Sequence, residues 1–477
     1  ATERCGIQRY TFPEGESAVF LNLKKAMNWD FTNDSYIEII DSCTIQGYRF
    51  SEGWARGQHV YFRTRFSKPF ASVEMDTTAI ALKGKRVGTA YIARFNFDTE
   101  KGEQIVLSTA LSGVSMEGAA KNMAAEAPHN DFDKYLAETK DNWNRQLGKI
   151  EVTGDNKDDK VNFYTALYHT MIAPTIYSDV DGAYYGPDKK IHQTDGWVNY
   201  GTFSLWDTYR NYHQLMTLVY PERQMDMIHT MMGMYKEHGW FPKWELYGRE
   251  TLTMEGDPSI PVLVDSWMKG LQDFDIDEAY KGMYKSATTP GKDNLMRPDN
   301  DDYMSKGYVP MESQYDNSVS HALEYYVADY ALSTLAEALG KKEDAKLFRK
   351  RSMGYKNYYS KDFGTLRPIT KEGKFYEPFD PKEGANFAPS PGFHEGNSWN
   401  YTFYVPHDVY GLAKLMGGKK PFIDKLQMVF DEGLYDPANE PDIAYAHLFS
   451  YFKGEEWRTQ KETQRLIDKY FTTKPDG

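Results

Sequence analysis

The sequence predicts a multi-domain chain of β and α parts: an N-terminal β-sandwich, a helical linker and a closed α/α toroid. Three observations predict it. Short segments of alternating character, separated by turn residues, fill roughly the first hundred positions. An alanine-rich and charged pattern replaces them from Met116 to Leu147. From Lys160 onward, apolar runs recur at helical spacing between Gly- and Pro-rich loops. The boundaries fall near residues 112 and 158, giving units of 1–112, 113–157 and 158–477. A chain of 477 residues exceeds one ordinary domain, so more than one unit is expected.

In the first unit, His59 to Phe66 and Tyr91 to Phe97 alternate as strands do, and Gln104 to Ser108 is a third strand candidate. Turn signals such as Pro13-Glu14-Gly15 lie between them, the make-up of a sandwich. In the last unit Val161 to His169 starts a helix. Val319, Leu323, Tyr326, Val327, Tyr330, Leu335 and Leu339 form one apolar stripe, closed by Gly340 as a C-terminal cap. Ile260 to Gly270 and Val405 to Gly417 add further helices. No short helical repeat is visible, which favours a closed toroid over a solenoid.

Composition narrows the function. There are 56 Lys and Arg against 69 Asp and Glu, a formal charge of −13, which argues against nucleic acid or an anionic membrane as main partner. Aromatic residues make up 15%, with 36 Tyr and 10 Trp. A large aromatic core explains most of them, yet the excess leans towards sugar binding, where a ring offers an apolar face and a polar tip. Cys5 and Cys43 are too few for a disulfide scaffold or a zinc cage; one disulfide and two free thiols are both open. No apolar run reaches the roughly 18 residues of a membrane span. The chain opens on Ala1-Thr2-Glu3 as if processed, so the lack of a signal peptide says little about compartment.

One segment concentrates chemistry. Pro391 to Tyr401 sets Glu395 among glycines, amides and rings, just before an apolar run. Rings desolvate a carboxyl and favour its protonated form, which a general acid needs. Asn397, Trp399 and, further on, His407 are candidate contacts for a polyhydroxylated ligand. A capped turn accounts for the segment equally well, and a structural hydrogen bond suits His407 better. In Gly201 to Arg210, Asp207 stands between Trp206 and Tyr209, placed to meet one ligand or to pair with Arg210 at a helix start. Asp257, before Pro258, reads best as a helix N-cap. Asn439-Glu440-Pro441-Asp442 offers hard oxygen donors of the kind calcium takes, although helix capping is the simpler reading. There is no G-x-S-x-G elbow, Walker loop or H-E-x-x-H helix.

These segments resemble glycoside hydrolase family 92, the calcium-dependent exo-acting α-mannosidases. The matching stretches are Gly201 to Arg210, Met254 to Gly270, Glu395 to Gly411 and Asn439 to Pro441, with Glu456 to Gln460 beyond. The resemblance implies an N-terminal sandwich, linking helices and an (α/α)6 toroid. It implies Glu395 as general acid, Trp206 and Asp207 as contacts of the −1 mannose, and Asn439 and Glu440 near calcium. Calcium (Ca2+) in such enzymes contacts the mannose O2 and O3 and helps distort the ring. The expected function is removal of terminal α-mannose from glycans with inversion, in the periplasm or outside the cell. A non-catalytic mannan-binding protein, or an (α/α)6 hydrolase or phosphorylase for another sugar, are the alternatives.

Three features qualify the resemblance. The water-activating carboxylate of the family lies in an acidic motif downstream of the Asn-Glu-Pro motif, and Lys474-Pro475-Asp476-Gly477 stands where that motif should begin. The base is thus expected outside the chain, whose sandwich also looks incomplete at its start. Pro437-Ala438 occupies the place of a His-Glu pair found in α-1,2-selective members, so a different linkage is expected. Glutamate at 395, where relatives acting on mannosyl phosphodiesters have glutamine, argues against that subclass.

Overall fold

The computed structural model describes residues 1–26, 30–83, 85–385, 388 and 390–474; the expected start of the acidic motif at 475–477 lies outside them. Eight strands build the first unit: β1 (Cys5–Thr11), β2 (Gly15–Asn22), β3 (Phe31–Ile39), β4 (Thr44–Glu52), β5 (Gln58–Phe66), β6 (Ser72–Leu82), β7 (Lys85–Thr99) and β8 (Gln104–Ser112). They form two antiparallel sheets, ordered β1-β8-β5-β4-β3 and β2-β7-β6. The alternation seen in the sequence becomes inside and outside: Phe62 and Phe66 of β5 meet Ala93, Phe95 and Phe97 of β7 in one buried core. Cys5 and Cys43 are both free thiols, which closes the disulfide alternative. Burial pushes the Cys5 thiol up to about 11.

The stretch expected as one linking segment is two helices. Ser115 caps α1 (Met116–Glu126), accepting from the Gly118 N–H, and Asp131 caps α2 (Phe132–Leu147), accepting from Lys134. Pro128 divides them, because it lacks an amide proton and disfavours helix at the residue before it. A third helix, α3 (Lys157–His169), follows behind an Asn156 cap.

The remainder is mainly helical, consistent with an (α/α)6 toroid. Its spine is the helix Ser318–Ala338, buried along most of its length and closed by Gly340 at φ +74 as expected. The helix expected over 260–270 is Ser259–Met268. Two expectations change. The helix expected from Val405 begins only at Val409, because the Asp408 side chain accepts from the Gly411 N–H and starts the helix there. Asp257 is no cap: Pro258 holds the N-cap place. Its carboxylate is gripped by buried Arg297 through Nε (2.9 Å) and Nη2 (3.1 Å), while Arg297 Nη1 reaches Asp329 (2.9 Å). The long reach from 257 to 297 and 329 ties two loops to the helix Ser318–Ala338, a pairing that no local pattern could announce.

The two parts of the chain touch at polar and aromatic points. Asp179 accepts from Ser112 Oγ and Asn122 Nδ2, each at 2.8 Å. Trp54, from the sandwich, stacks on Trp244 with ring centres 4.6 Å apart, and its Nε1 donates to Thr253 Oγ1 (2.9 Å).

Candidate active site

The loop carrying Glu395 is held by bonds from four directions. Ser390 Oγ donates to the carbonyls of Phe393 (3.3 Å) and Gly396 (3.1 Å). The His394 N–H donates to Ser320 Oγ (2.9 Å) and its carbonyl accepts from Tyr401 OH (2.6 Å). Asn439 Nδ2 donates to the Glu395 carbonyl (2.9 Å). This clamp maintains Glu395 at φ +49, a left-handed backbone that costs a non-glycine residue about 1 kcal/mol or more. Gly396 permits the approach of Asn439: a Cβ there would lie 2.3 Å from Asn439 Nδ2. Asn397 then caps the helix Ser398–Thr402 in a reciprocal pair with Asn400.

Glu395 begins a row of alternating carboxylates and imidazoles. His394 Nε2 lies 3.8 Å from Glu395 Oε1, and His394 Nδ1 lies 3.2 Å from Glu255 Oε1. Glu255, 1% exposed, also accepts from Asn317 Nδ2 (3.0 Å), and its Oε2 is buried without a partner among the described residues. His321 Nε2 sits 3.7 Å from the same Oε1, and His321 Nδ1 meets Asp299 at 2.9 Å. Burial raises the proton affinity of Glu395; His394 opposes this, while Glu440 and Glu255 add to it. The result is a carboxyl that holds its proton above the ordinary carboxyl range.

A second carboxylate group faces it. Burial raises Asp207 to about 8, helped by a hydrogen bond with Glu440 and by that residue's charge; Arg210 opposes, and Glu395 adds to the rise. The expected pairing of Asp207 with Arg210 is therefore only a long-range one. Arg210 is engaged elsewhere: Nη2 donates to Glu324 Oε1 (2.6 Å), and the guanidinium lies over the rings of Trp206, Tyr209 and Tyr404 at 4.7–4.8 Å. Tyr209 and Tyr404 both donate to Glu324 Oε2. Burial pushes Glu324 up to about 7 against the pull of Arg210. The arrangement locks Trp206, 1% exposed, with its ring edge-on to His394 at 6.3 Å.

Asn439 and Glu440 come from a short helical turn, Glu440–Asp442. Asn439 makes no cap bond; its Oδ1 is buried with no partner among the described residues, while its Nδ2 is occupied by Glu395. An unpartnered amide oxygen on Asn439, next in the chain to Glu440, whose carboxylate meets Asp207, is a donor set suited to a hard cation.

The structure therefore gathers Glu395, Asp207, Trp206, Asn439 and Glu440 in one place. The other three predicted contacts are placed differently. Asn397 uses its oxygen for the Trp399 N–H (2.9 Å) and its amide for the Gly384 carbonyl. Trp399 is 6% exposed, with Lys425 over its ring. His407 is half-buried against Tyr330 and Tyr355, with Nε2 at 2.9 Å from the Ser352 carbonyl; desolvation of the ring lowers it to about 4. Sequence reasoning missed Glu255 and Glu324. The first lies inside the Met254 to Gly270 stretch; the second is one of three carboxylates, with Asp329 and Glu337, in residues 319–339, and its place beside the apolar stripe positions Leu323 and Tyr326 was its one available signal.

With this geometry in hand, comparison with known proteins gives consistent matches. The glycosyl hydrolase family 92 catalytic domain model matches residues 118–477, and the family 92 N-terminal domain model matches 1–112. Among solved structures, a family GH92 α-mannosidase from Bacteroides thetaiotaomicron is similar with TM-score 0.90 and 32% identity, over 100% of this chain and 64% of that one. It has also been solved in complex with mannoimidazole (TM-score 0.90, 31% identity, 100% and 65% covered). A family GH92 inverting mannosidase from Bacteroides thetaiotaomicron VPI-5482 gives TM-score 0.89 and 27% identity, over 100% of this chain and 67% of that one. A protein of Arthroderma benhamiae described as an uncharacterized secreted glycosidase is 26% identical over 381 residues, which is 72% of this chain and 44% of its own length. The chain thus spans less than two thirds of the first of these structures and under half of the curated relative.

Proposed function

This chain belongs to glycosyl hydrolase family 92, and on that premise we propose that the protein is an exo-acting α-mannosidase releasing terminal α-mannose from glycans with inversion. The observation that carries the proposal is Glu395: a carboxyl of raised proton affinity on a strained, four-way-clamped loop, facing Asp207 and Glu440. Glu395 is the general acid that protonates the departing glycosidic oxygen. Asp207 and Trp206 hold the mannose in the −1 subsite, with Arg210 fixing the Trp206 ring from behind. Asn397 and Trp399 serve the subsite through the helix they start, keeping Glu395 in register, and His407 backs the same unit from the core. Inversion also requires a water-activating carboxylate about 6.5–9.5 Å from the acid.

Calcium fits the orphaned Asn439 oxygen and the neighbouring Glu440 carboxylate, and these are the residues proposed to hold it. When bound, it supplies positive charge that orients sugar hydroxyls and offsets developing negative charge. The units proposed are 1–112, 113–157 and 158–477. The exposed Pro437-Ala438 pair offers no charged side chain to a second sugar, which supports a linkage other than α-1,2. No helix among the described residues is long and apolar enough to cross a membrane, and a relative is described as secreted. Both agree with work in a periplasm or outside the cell. Hydrolysis of a panel of α-linked mannobioses, with the anomer of the released mannose followed by NMR, tests the reading; release of β-mannose first would establish inversion, and release of α-mannose first, or no hydrolysis of any α-mannoside, would overturn the proposal.

A further inference from the structure

A second polar cluster lies apart from the Glu395 site. It joins the hairpin Ala183–Tyr185 and Ile191–Gln193 to the C-terminal end of the helix Pro221–His238. Asp188, His192 and Glu237 each present a ligand atom, all within 4.8 Å of one another. Asp188 Oδ1 stands 2.9 Å from His192 Nε2 and also accepts from the Lys190 N–H (3.1 Å), while its Oδ2 points to Lys190 Nζ (3.4 Å). Glu237 Oε1 accepts from Tyr184 OH and lies 3.9 Å from His192 Nδ1. Glu237 Oε2 is buried with no partner among the described residues, on a side chain only 7% exposed.

Two glycines keep the space between these groups clear. A Cβ on Gly186 would stand 2.5 Å from Glu237 Oε2 and 3.1 Å from His192 Nε2, in the gap between them. A Cβ on Gly233 would come within 3.3 Å of Tyr184 OH and 3.5 Å of Glu237 Oε1. The cluster lines a cleft of about 490 Å³, also walled by Trp197 and His229, so an ion has a way in.

We propose that Asp188, His192 and Glu237 form a binding site for a divalent transition cation of the zinc class. An unpartnered, nearly buried carboxylate oxygen is costly unless a cation or proton completes it. One imidazole and two carboxylates suit zinc, whereas calcium prefers an all-oxygen shell of six to eight donors. Ligand atoms around one tetrahedral zinc stand about 3.4 Å apart, and the three ligand atoms here lie within 4.8 Å of one another, so small side-chain adjustments bring them onto one ion. The open side towards the cleft leaves room for water as a fourth ligand. The ion is structural: it pins the hairpin to the end of the helix that runs, through Gly239, to Lys243, whose carbonyl accepts from Leu205 N–H (3.1 Å) beside Trp206 and Asp207.

The test uses zinc alone, in buffer with calcium in excess, read by equilibrium dialysis with elemental analysis and by titration calorimetry. The wild-type protein should retain one zinc per chain. Glu237→Gln should weaken it tenfold or more, and so should Gly186→Ala, which keeps every ligand but fills the gap. Asn439→Ala should leave zinc binding unchanged, separating this site from the proposed calcium site and from the mannosidase reading. An anomalous difference map at the zinc edge of wild-type crystals should place the ion among the three side chains, with no dependence on any variant folding. No zinc above the buffer control, equal affinity in Glu237→Gln and wild type, or a zinc peak elsewhere would overturn the proposal.

Discussion

Replacing Glu395 by glutamine removes a transferable proton and little else. The clamp on the loop uses the carbonyl of residue 395, which still accepts from Asn439, and the side chain keeps its size. A positioned general acid contributes about 10²–10⁴-fold to rate, equivalent to about 2.7–5.5 kcal/mol of transition-state stabilisation. The upper part of that range is expected here for a sugar or alkyl leaving group, because the site withholds water: the Glu395 side chain is 21% exposed and its neighbours Glu255 and Trp206 are each 1% exposed. A dinitrophenyl mannoside needs no protonation on departure and should lose less than about tenfold. Above the folded-state value, where Glu395 is ionised, the substitution also removes one negative charge near Asp207 and Glu440, so both rates are to be compared at saturating calcium. The sign of the pH effect follows from the raised proton affinity of Glu395. The acid form persists above the ordinary carboxyl range, activity falls as pH rises through the folded-state value, and this alkaline limb disappears in the glutamine variant. The assay is kcat/KM over about pH 4 to 9 on a mannobiose and on the activated mannoside. Equal loss on both substrates, or an alkaline limb retained in Glu395→Gln, would refute the acid role.

Other residues give sharper or cheaper tests. A chelator should abolish hydrolysis and added calcium restore it, and Asn439→Ala should raise the half-maximal calcium concentration about tenfold or more; chelator-insensitive activity removes the metal from the proposal. Gly396→Ala drives a Cβ to 2.3 Å from Asn439 Nδ2 and should cost about 1–3 kcal/mol in urea unfolding together with most of the activity; an unchanged melt would show that the loop relaxes freely. Asp207, raised from 3.8 to about 8, binds more protons in the native than in the unfolded state across that interval. Its contribution therefore falls as pH rises through the window, and in calcium-free buffer Asp207→Asn should gain on the order of 1–3 kcal/mol at high pH and nothing at low pH. A gain that does not vary with pH would contradict the burial argument.

The architecture was legible because it rests on periodicity. Strand β5 alternates inward Phe62 and Phe66 with outward residues, and the stripe from Val319 to Leu339 repeats at helical spacing and stops at a glycine. Such patterns are local, and burial of one face enforces them whatever the rest of the chain does. The failures were equally physical. Asp257 before Pro258 reads as a cap, yet Arg297, forty residues on, offers a buried bidentate partner that outweighs a single capping bond. Val405 to His407 reads as helix, yet Asp408 captures the Gly411 amide and moves the start.

By itself the sequence determined the order of the units and the loop-to-helix junctions at residues 206–207, 395–401 and 439–442, because glycines, caps and aromatic neighbours act over a few residues. Only the tertiary structure decided which of those junctions meet. It placed Asn439 under the carbonyl of Glu395, set Glu440 against Asp207 and gave Arg210 to Glu324. It also ran a row of acids and imidazoles from Glu395 back to Asp299. The physical reason is burial: a carboxyl's proton affinity depends on the charges and the dielectric within a few ångströms. Those neighbours come from segments up to well over a hundred residues apart in the chain.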